Sequence, residues 1–200
     1  MKIIGIGRNF SEHALELNNE IPTEILFFLK PDTALHTEPI WYLPDFLGEI
    51  HHEIEWVIKI SKTGKNIDEK FASDYFQYIS LGIDFTARNL QKIAKDKGLP
   101  WEKAKAFDHS AAIGTFLDKK NVNFPFSFRL LKNGQKVQAG NTAQMLFSIE
   151  KIIAQISRYV TLKVGDLIFT GTPSGVGSVE KGDILEGFLE DQKLLHLEVR

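Results

Sequence analysis

The chain has 200 residues, 43% of them apolar and 15 of them Phe, enough for one domain of generous size with a substantial core. Its 24 basic and 26 acidic residues leave a formal charge of −2, so nothing electrostatic argues for a nucleic-acid partner. With no cysteine, disulfides, thiolate metal sites and a cysteine nucleophile are excluded. No window approaches a membrane span, and the apolar run Ile3-Ile4-Gly5-Ile6 stops at Arg8, too short for a signal peptide. The expectation is a soluble protein of the cytoplasm.

Lys2 to Ile6 reads as an opening strand. Ser11 caps a short helix through Asn18, and Asn19 to Pro22 break the pattern. Leu26 to Leu29 is an apolar run ending at Lys30-Pro31, consistent with a buried strand and a turn. A strand follows at 50–60. Phe71, Tyr75, Phe76 and Ile79 stand at helical spacing and predict a helix from Asp68 to Ser80. Tyr78 to Phe85 reads as a short strand with Asp84 near its end. Thr86 to Lys97 predicts a helix with Ala87, Leu90, Ile93 and Ala94 as its apolar stripe, closed by Gly98. Asn133-Gly134 between Phe126–Leu131 and Lys136–Gln138 signals a hairpin. Ser148 caps a helix through Tyr159, with Ile149, Ile152, Ile153 and Ile156 on its buried side. Strands return at 167–170, 184–190 and 194–199. Strands with interspersed helices and no regular alternation predict an α+β fold in a single domain, residues 1–200.

The strand at 50–60 carries the first chemical signal. Side chains alternate along it, so His51, Glu53, Glu55 and Val57 share one face and Ile50, His52, Ile54, Trp56, Ile58 and Ile60 the other. Carboxylates two residues apart sit roughly 7 Å apart at their roots and can swing onto one divalent cation. An isolated pair of this kind is more often a solvated outer face. The loop Gly171–Gly177 lacks the Gly-Lys-Ser/Thr ending of a phosphate loop, so its glycines suit close approach to a small carboxylate or a plain tight turn. Gly5-Ile6-Gly7 has Phe10 where a dinucleotide fingerprint needs its third glycine.

Six clusters then follow in order: Gly7-Arg8-Asn9-Phe10 with His13 and Glu16; Phe28-Leu29-Lys30-Pro31; His52-Glu53-Ile54-Glu55; Asp84-Phe85-Thr86-Ala87-Arg88 through Gln91; Gly98-Leu99-Pro100-Trp101 to Lys105; and Gly165-Asp166 through Gly177. In this order and spacing they resemble the fumarylacetoacetate hydrolase family, in its short single-domain acylpyruvate hydrolase and oxaloacetate decarboxylase branch. The resemblance covers nearly the whole chain. It implies a β-rich mixed roll with a few short helices, paired as a homodimer. It makes Glu53, Glu55 and Asp84 the metal carboxylates, and it places Arg88, Gln91 and Lys105 in the substrate site. His13 and Glu16 correspond to a water-activating pair on a mobile segment, residues 9–22. Thr172 corresponds to a threonine that meets a substrate carboxylate, and Arg8 joins the substrate-binding set. Phe10 departs from the family, standing where tyrosine is common.

Three carboxylates without cysteine make an oxygen-only site, which suits one Mg²⁺, with Mn²⁺ or Ca²⁺ also compatible. Three residues apart on a helix, His13 and Glu16 would share a face, where the glutamate orients the imidazole as a base. A surface ion pair is the plain alternative. Arg88 and Gln91 share a helix face opposite the apolar stripe, and Lys105 rests on the resemblance almost alone. The reading is a metal-dependent hydrolase that cleaves the C–C bond of an acylpyruvate, a small 2-oxo acid, to pyruvate and a carboxylic acid. Its rivals through the same enolate chemistry are oxaloacetate decarboxylation and isomerisation of a 2-hydroxy-diene-dioate. A catalytically silent small-acid binding protein is the rival of another class.

Overall fold

The protein is described here by a computed structural model covering residues 1–10 and 22–200. The segment 11–21, which contains His13, Glu16 and the expected short helix and lid, lies outside the described residues. The described residues form three sheets and three α-helices, joined by turns and short 3₁₀ segments. The largest sheet runs in the order β2 (Leu26–Lys30), β1 (Ile3–Gly7), β13 (Leu167–Phe169), β6 (Ile54–Ile60), β7 (Phe76–Asp84), β9 (Ala111–Ile113) and β3 (Leu35–His36), with β10 (Leu117–Asp118) also paired to β7. The second runs β12 (Gln135–Asn141), β11 (Ser127–Lys132), β15 (Ile184–Leu189), β16 (Gln192–Val199) and β4 (Ile40–Trp41). A small third sheet joins β14 (Gly177–Ser178), β5 (Ile50–His52) and β8 (Thr86–Ala87).

The main core lies where the first two sheets face each other. Ile54, Trp56 and Ile58 of β6 and Ile83 of β7 pack in one cluster with Phe128 and Leu130 of β11 and Leu185 of β15. Val57 belongs to a second, smaller cluster with Ile3, Ala111 and Phe169. The alternation expected for β6 is therefore real, but both of its faces are buried, which removes the solvated-face alternative for its carboxylates. The strand expected to be continuous over 50–60 is interrupted at Glu53, and β5 turns away there to pair with β8 and β14.

Helix α1 (Arg88–Lys97) ends at Gly98, whose φ of 62° takes the left-handed conformation glycine adopts without strain. Its expected stripe is rotated. Ile93 is 47% exposed and Gln91 is buried beside Ala94, so a polar residue faces inwards. Helix α2 (Glu102–Lys105) is a single turn. Helix α3 (Ile149–Tyr159) is capped by the Ser148 hydroxyl, which accepts from Lys151 N–H at 3.2 Å. Its Ile152, Ile153 and Ile156 are fully buried, each contributing about 1.5–3 kcal/mol of burial free energy. The hairpin between β11 and β12 turns at Asn133 and Gly134, both at positive φ. The helix expected over 68–80 is instead a 3₁₀ segment, Glu69–Tyr75, running directly into β7. Among the described residues no helix is long and apolar enough to cross a membrane.

Candidate active site

Strand pairing assembles the acidic cluster. β6 and β7 are antiparallel with Ile54 opposite Ile83 and Glu55 opposite Gly82, and Asp84 N–H donates to Glu53 O at 2.9 Å. Asp84 thus stands across from Glu53, on the face that Glu53 shares with Glu55. One oxygen from each of the three carboxylates lies within 4.8 Å of the others, and all three residues are at most 5% exposed. On the other flank, β13 pairs antiparallel with β6 and leads into Gly171, whose N–H donates to Glu55 Oε2 at 2.8 Å. Gly171 has φ of 103°, and a Cβ there would come within 2.8 Å of Asn9 Cβ, so only glycine brings this N–H to the carboxylate.

Two buried lysines and a partly buried arginine pair with Glu53 and Asp84. Lys105, 3% exposed at the end of α2, donates to Glu53 Oε2 (2.7 Å), Asp84 Oδ2 (2.6 Å) and Thr86 Oγ1 (2.6 Å), which engages all three of its N–H bonds. Lys30, at the end of β2, lies 2.6 Å from Asp84 Oδ1 and donates to Ser110 O and Oγ. Arg88, at the start of α1, donates to Glu53 Oε1 (2.7 Å), Gln91 Oε1 (2.7 Å) and His51 Nδ1 (3.2 Å), leaving two of its five N–H bonds free of these partners. Phe28 lies over Lys105, its ring centroid 5.4 Å from Nζ, and Trp101 packs against Phe28.

The charges act on one another. Burial, reinforced by the Asp84 charge, holds the Glu55 carboxyl well above the usual carboxylate range. Burial would lower Lys105, but Asp84 and Glu53 outweigh it, and its ammonium is held above the ordinary lysine value. Lys30 goes the other way: its complete burial exceeds the help of Asp84, and Lys105 repels it, so it falls below that value.

The donor set fits a hard divalent cation. It offers only oxygen ligands, from three buried and convergent carboxylates, and among the described residues Asp84 Oδ1 meets the Lys30 ion pair without an aligned hydrogen bond.

The loop after β13 is clamped rather than free. Thr172 Oγ1 donates to Ile54 O (2.8 Å) and accepts from Gln138 Nε2 (2.9 Å), so its hydroxyl is already engaged, although the residue lines the cavity. Gln138 also accepts from Ile54 N–H (3.1 Å) and contacts His52 Nδ1 (2.9 Å), spanning the interruption at Glu53. Burial keeps the His52 imidazole below its usual pKa, which suits the neutral ring that donates to Gln138. Asn9, fully buried, binds Thr170 O, Phe147 O and Phe147 N–H and so fixes the chain beside Arg8.

Of the residues expected at the site, Arg8, Glu53, Glu55, Asp84, Arg88, Gln91, Lys105 and Thr172 line one cavity. His13 and Glu16 lie outside the described residues. Lys30, Thr86 and Gln138 were missed. Lys30 carried a faint signal as a lysine ending an apolar strand, and Gln138 carried none.

Residues 2–199 match the family described as Fumarylacetoacetate (FAA) hydrolase C-terminal. The chain belongs to that family. Its β-rich architecture with few short helices is the family's own. Over 190 residues it is 44% identical to the mitochondrial oxaloacetate decarboxylase of Dictyostelium discoideum, covering 92% of this chain and 87% of that protein. It is 39% identical over 202 residues to the mitochondrial oxaloacetate tautomerase FAHD1 of Mus musculus, covering 99% and 91%. The fumarylpyruvate hydrolase of Pseudomonas aeruginosa, solved with Mn²⁺ and pyruvate, superposes with a TM-score of 0.93 at 33% identity, covering 100% of this chain and 89% of that one. Homologues of this fumarylacetoacetate hydrolase family chain are thus enzymes acting on small acids. Two of these relatives are named as mitochondrial proteins, which does not support the expected cytoplasmic location.

Proposed function

We propose that the protein is a divalent-cation-dependent enzyme acting on a small 2-oxo acid, with Glu53, Glu55 and Asp84 as the ligands and Mg²⁺ as the metal. The observation that carries this reading is the buried trio of carboxylates held in register by β6 and β7 and braced by Lys105. A bound cation would supply Lewis acidity to the 2-oxo and carboxylate oxygens of the substrate. The chain's own groups do the rest. Lys105, its N–H bonds engaged, is a fixed positive charge beside the developing oxyanion rather than a proton donor. The free N–H bonds of Arg88 orient a substrate carboxylate. Phe28 and Trp101 exclude water on one side, which strengthens these interactions.

Such a site favours flow of electrons onto the 2-oxo oxygen. For oxaloacetate this breaks the bond to the distal carboxylate, releasing CO₂ and leaving pyruvate enolate, which takes a proton at C3. The relatives named for oxaloacetate chemistry support that substrate as the first to test. Hydrolysis of an acylpyruvate is the second reading, supported by the fumarylpyruvate hydrolase neighbour. It requires a water activated at the distal carbonyl, a role the family resemblance gives to His13 with Glu16.

Pyruvate release from oxaloacetate and from acetylpyruvate, each with Mg²⁺ and with EDTA, tests the proposal, with Asp84→Asn as the control for reaction in free solution. Cation-dependent release of pyruvate above that control is expected. No release from either substrate, with Mg²⁺ or Mn²⁺, would refute both decarboxylation and hydrolysis.

A further inference from the structure

The cavity beside the three carboxylates is small, about 30 Å³. So small a space takes at most the chelating end of a 2-oxo acid, so the remainder of the substrate must project outwards. Arg8, Arg88, Gln91 and Lys95 line both this cavity and an adjoining outer one of about 450 Å³. The outer cavity adds Lys92, Asn89 and Asp96, so four cations face one carboxylate. That lining suits an acidic tail and not a long apolar acyl chain.

Lys95 is the cation in this wall with no assigned task. On α1 it follows Arg88 and Gln91 by seven and four residues, which puts all three on one face. It is half-buried and forms no ion pair among the described residues. Its ammonium lies instead over the Trp101 ring, 5.7 Å from Nζ to the centroid. Arg8 is similar: its Nε is buried with no hydrogen-bond partner among the described residues, and its φ of 59° is a strained value for a residue other than glycine. Burial, then repulsion from Arg8 and Arg88, lowers the Lys95 pKa, as expected of a cation awaiting an anion.

The geometry points to Lys95, assisted by Arg8, as the group that receives the distal carboxylate of a 2-oxo dicarboxylate, making it the residue that selects diacids over monoacids. This rests on the reading that the 2-oxo end is chelated beside Glu53, Glu55 and Asp84. A charge-assisted hydrogen bond to a carboxylate is strong enough to separate a diacid from a monoacid of equal length by about tenfold or more.

Calorimetry on the Mn²⁺-loaded protein with oxalate, 2-oxoglutarate and 2-oxopentanoate tests it without relying on turnover. The last two have the same chain length and differ in the distal carboxylate. Wild type should prefer 2-oxoglutarate by roughly tenfold or more, Lys95→Met should lose most of that preference, and Lys95→Arg should restore it. Circular dichroism of each variant establishes folding, and methionine keeps both the apolar stem and the helix propensity. If wild type binds oxalate but its diacid preference survives in Lys95→Met, the role of Lys95 is refuted and the chelation reading stands. If the loaded wild type fails to bind oxalate, the chelation reading itself is refuted.

Discussion

Replacing Lys105 with methionine keeps most of the side-chain volume and removes the ammonium that bridges Glu53, Asp84 and Thr86. Breaking a buried ion pair by removing one partner costs about 3–5 kcal/mol, because the other charge is left uncompensated. Here Glu53 keeps Arg88 and Asp84 keeps Lys30, which places the cost at the low end, about 3 kcal/mol. For a chain of this size each kcal/mol lowers the melting temperature by about 2–4 °C, so Lys105→Met should melt about 6–12 °C below wild type in EDTA. A divalent cation would replace the missing charge, and Lys105 no longer competes for the carboxylates. Mn²⁺ should therefore bind the variant more tightly and raise its melting temperature by more than it raises that of wild type, while pyruvate release falls. Thermal melts of both proteins in EDTA and in saturating Mn²⁺ provide the assay. Equal melting in EDTA, or a Mn²⁺-induced rise no larger in the variant, would refute the view that Lys105 serves as counter-ion to the metal carboxylates.

Glu53→Gln, Glu55→Gln and Asp84→Asn should each weaken Mg²⁺ or Mn²⁺ binding and remove most activity; undiminished binding in all three by calorimetry would overturn the ligand assignment. His13→Ala should lose acylpyruvate hydrolysis by roughly 10²-fold, the scale of a lost general base, with a smaller loss of oxaloacetate decarboxylation and little change in metal affinity. Glu16→Gln should follow it in direction with a smaller loss, and undiminished hydrolysis in His13→Ala, measured by steady-state kinetics, would remove the pair from the mechanism. Burial tends to raise the Asp166 carboxyl, but the Lys2 ammonium and the N–H groups of Lys2 and Lys163 outweigh it and hold it below the ordinary aspartate value. A depressed folded-state pKa gives stability that is present above the ordinary value and lost as the pH falls through the folded one. Asp166→Asn should thus be less stable at pH 7 by about 2 kcal/mol, with the gap closing in denaturation curves towards pH 3; a gap independent of pH would contradict this.

What the sequence disclosed was local, and what it concealed was pairing. The Ser148 cap, the isoleucine spacing of α3 and the Asn133-Gly134 turn each act within a few residues, and each element stands where expected. The inward face of β6 was legible in the same way, with Trp56 on the core side. Helical spacing misled at Phe71, Tyr75, Phe76 and Ile79, because pairing of β7 along the length of β6 outweighs local preference, and Phe71 is left 54% exposed. The meeting of Asp84 with Glu53 depends on the β6–β7 register, which residue spacing alone does not carry. Lys105 sits among lysines that are exposed, and only the carboxylates gathered from two other strands explain why this one is buried. The family resemblance supplied Lys105 where residue types could not; it included the cluster Phe28–Pro31 but gave Lys30 no role, because its partner Asp84 comes from the far side of β6.

On the proposed reading, Glu53, Glu55 and Asp84 together hold a divalent cation on which a 2-oxo acid binds. A crystal structure of the protein with Mn²⁺ and oxalate tests it most directly. The expected result is one cation at about 2.0–2.6 Å from an oxygen of each of the three carboxylates, with oxalate completing its coordination and Arg88 within hydrogen-bond reach. Oxalate bound elsewhere, or a cation that leaves any of the three carboxylates uncoordinated, would contradict the account.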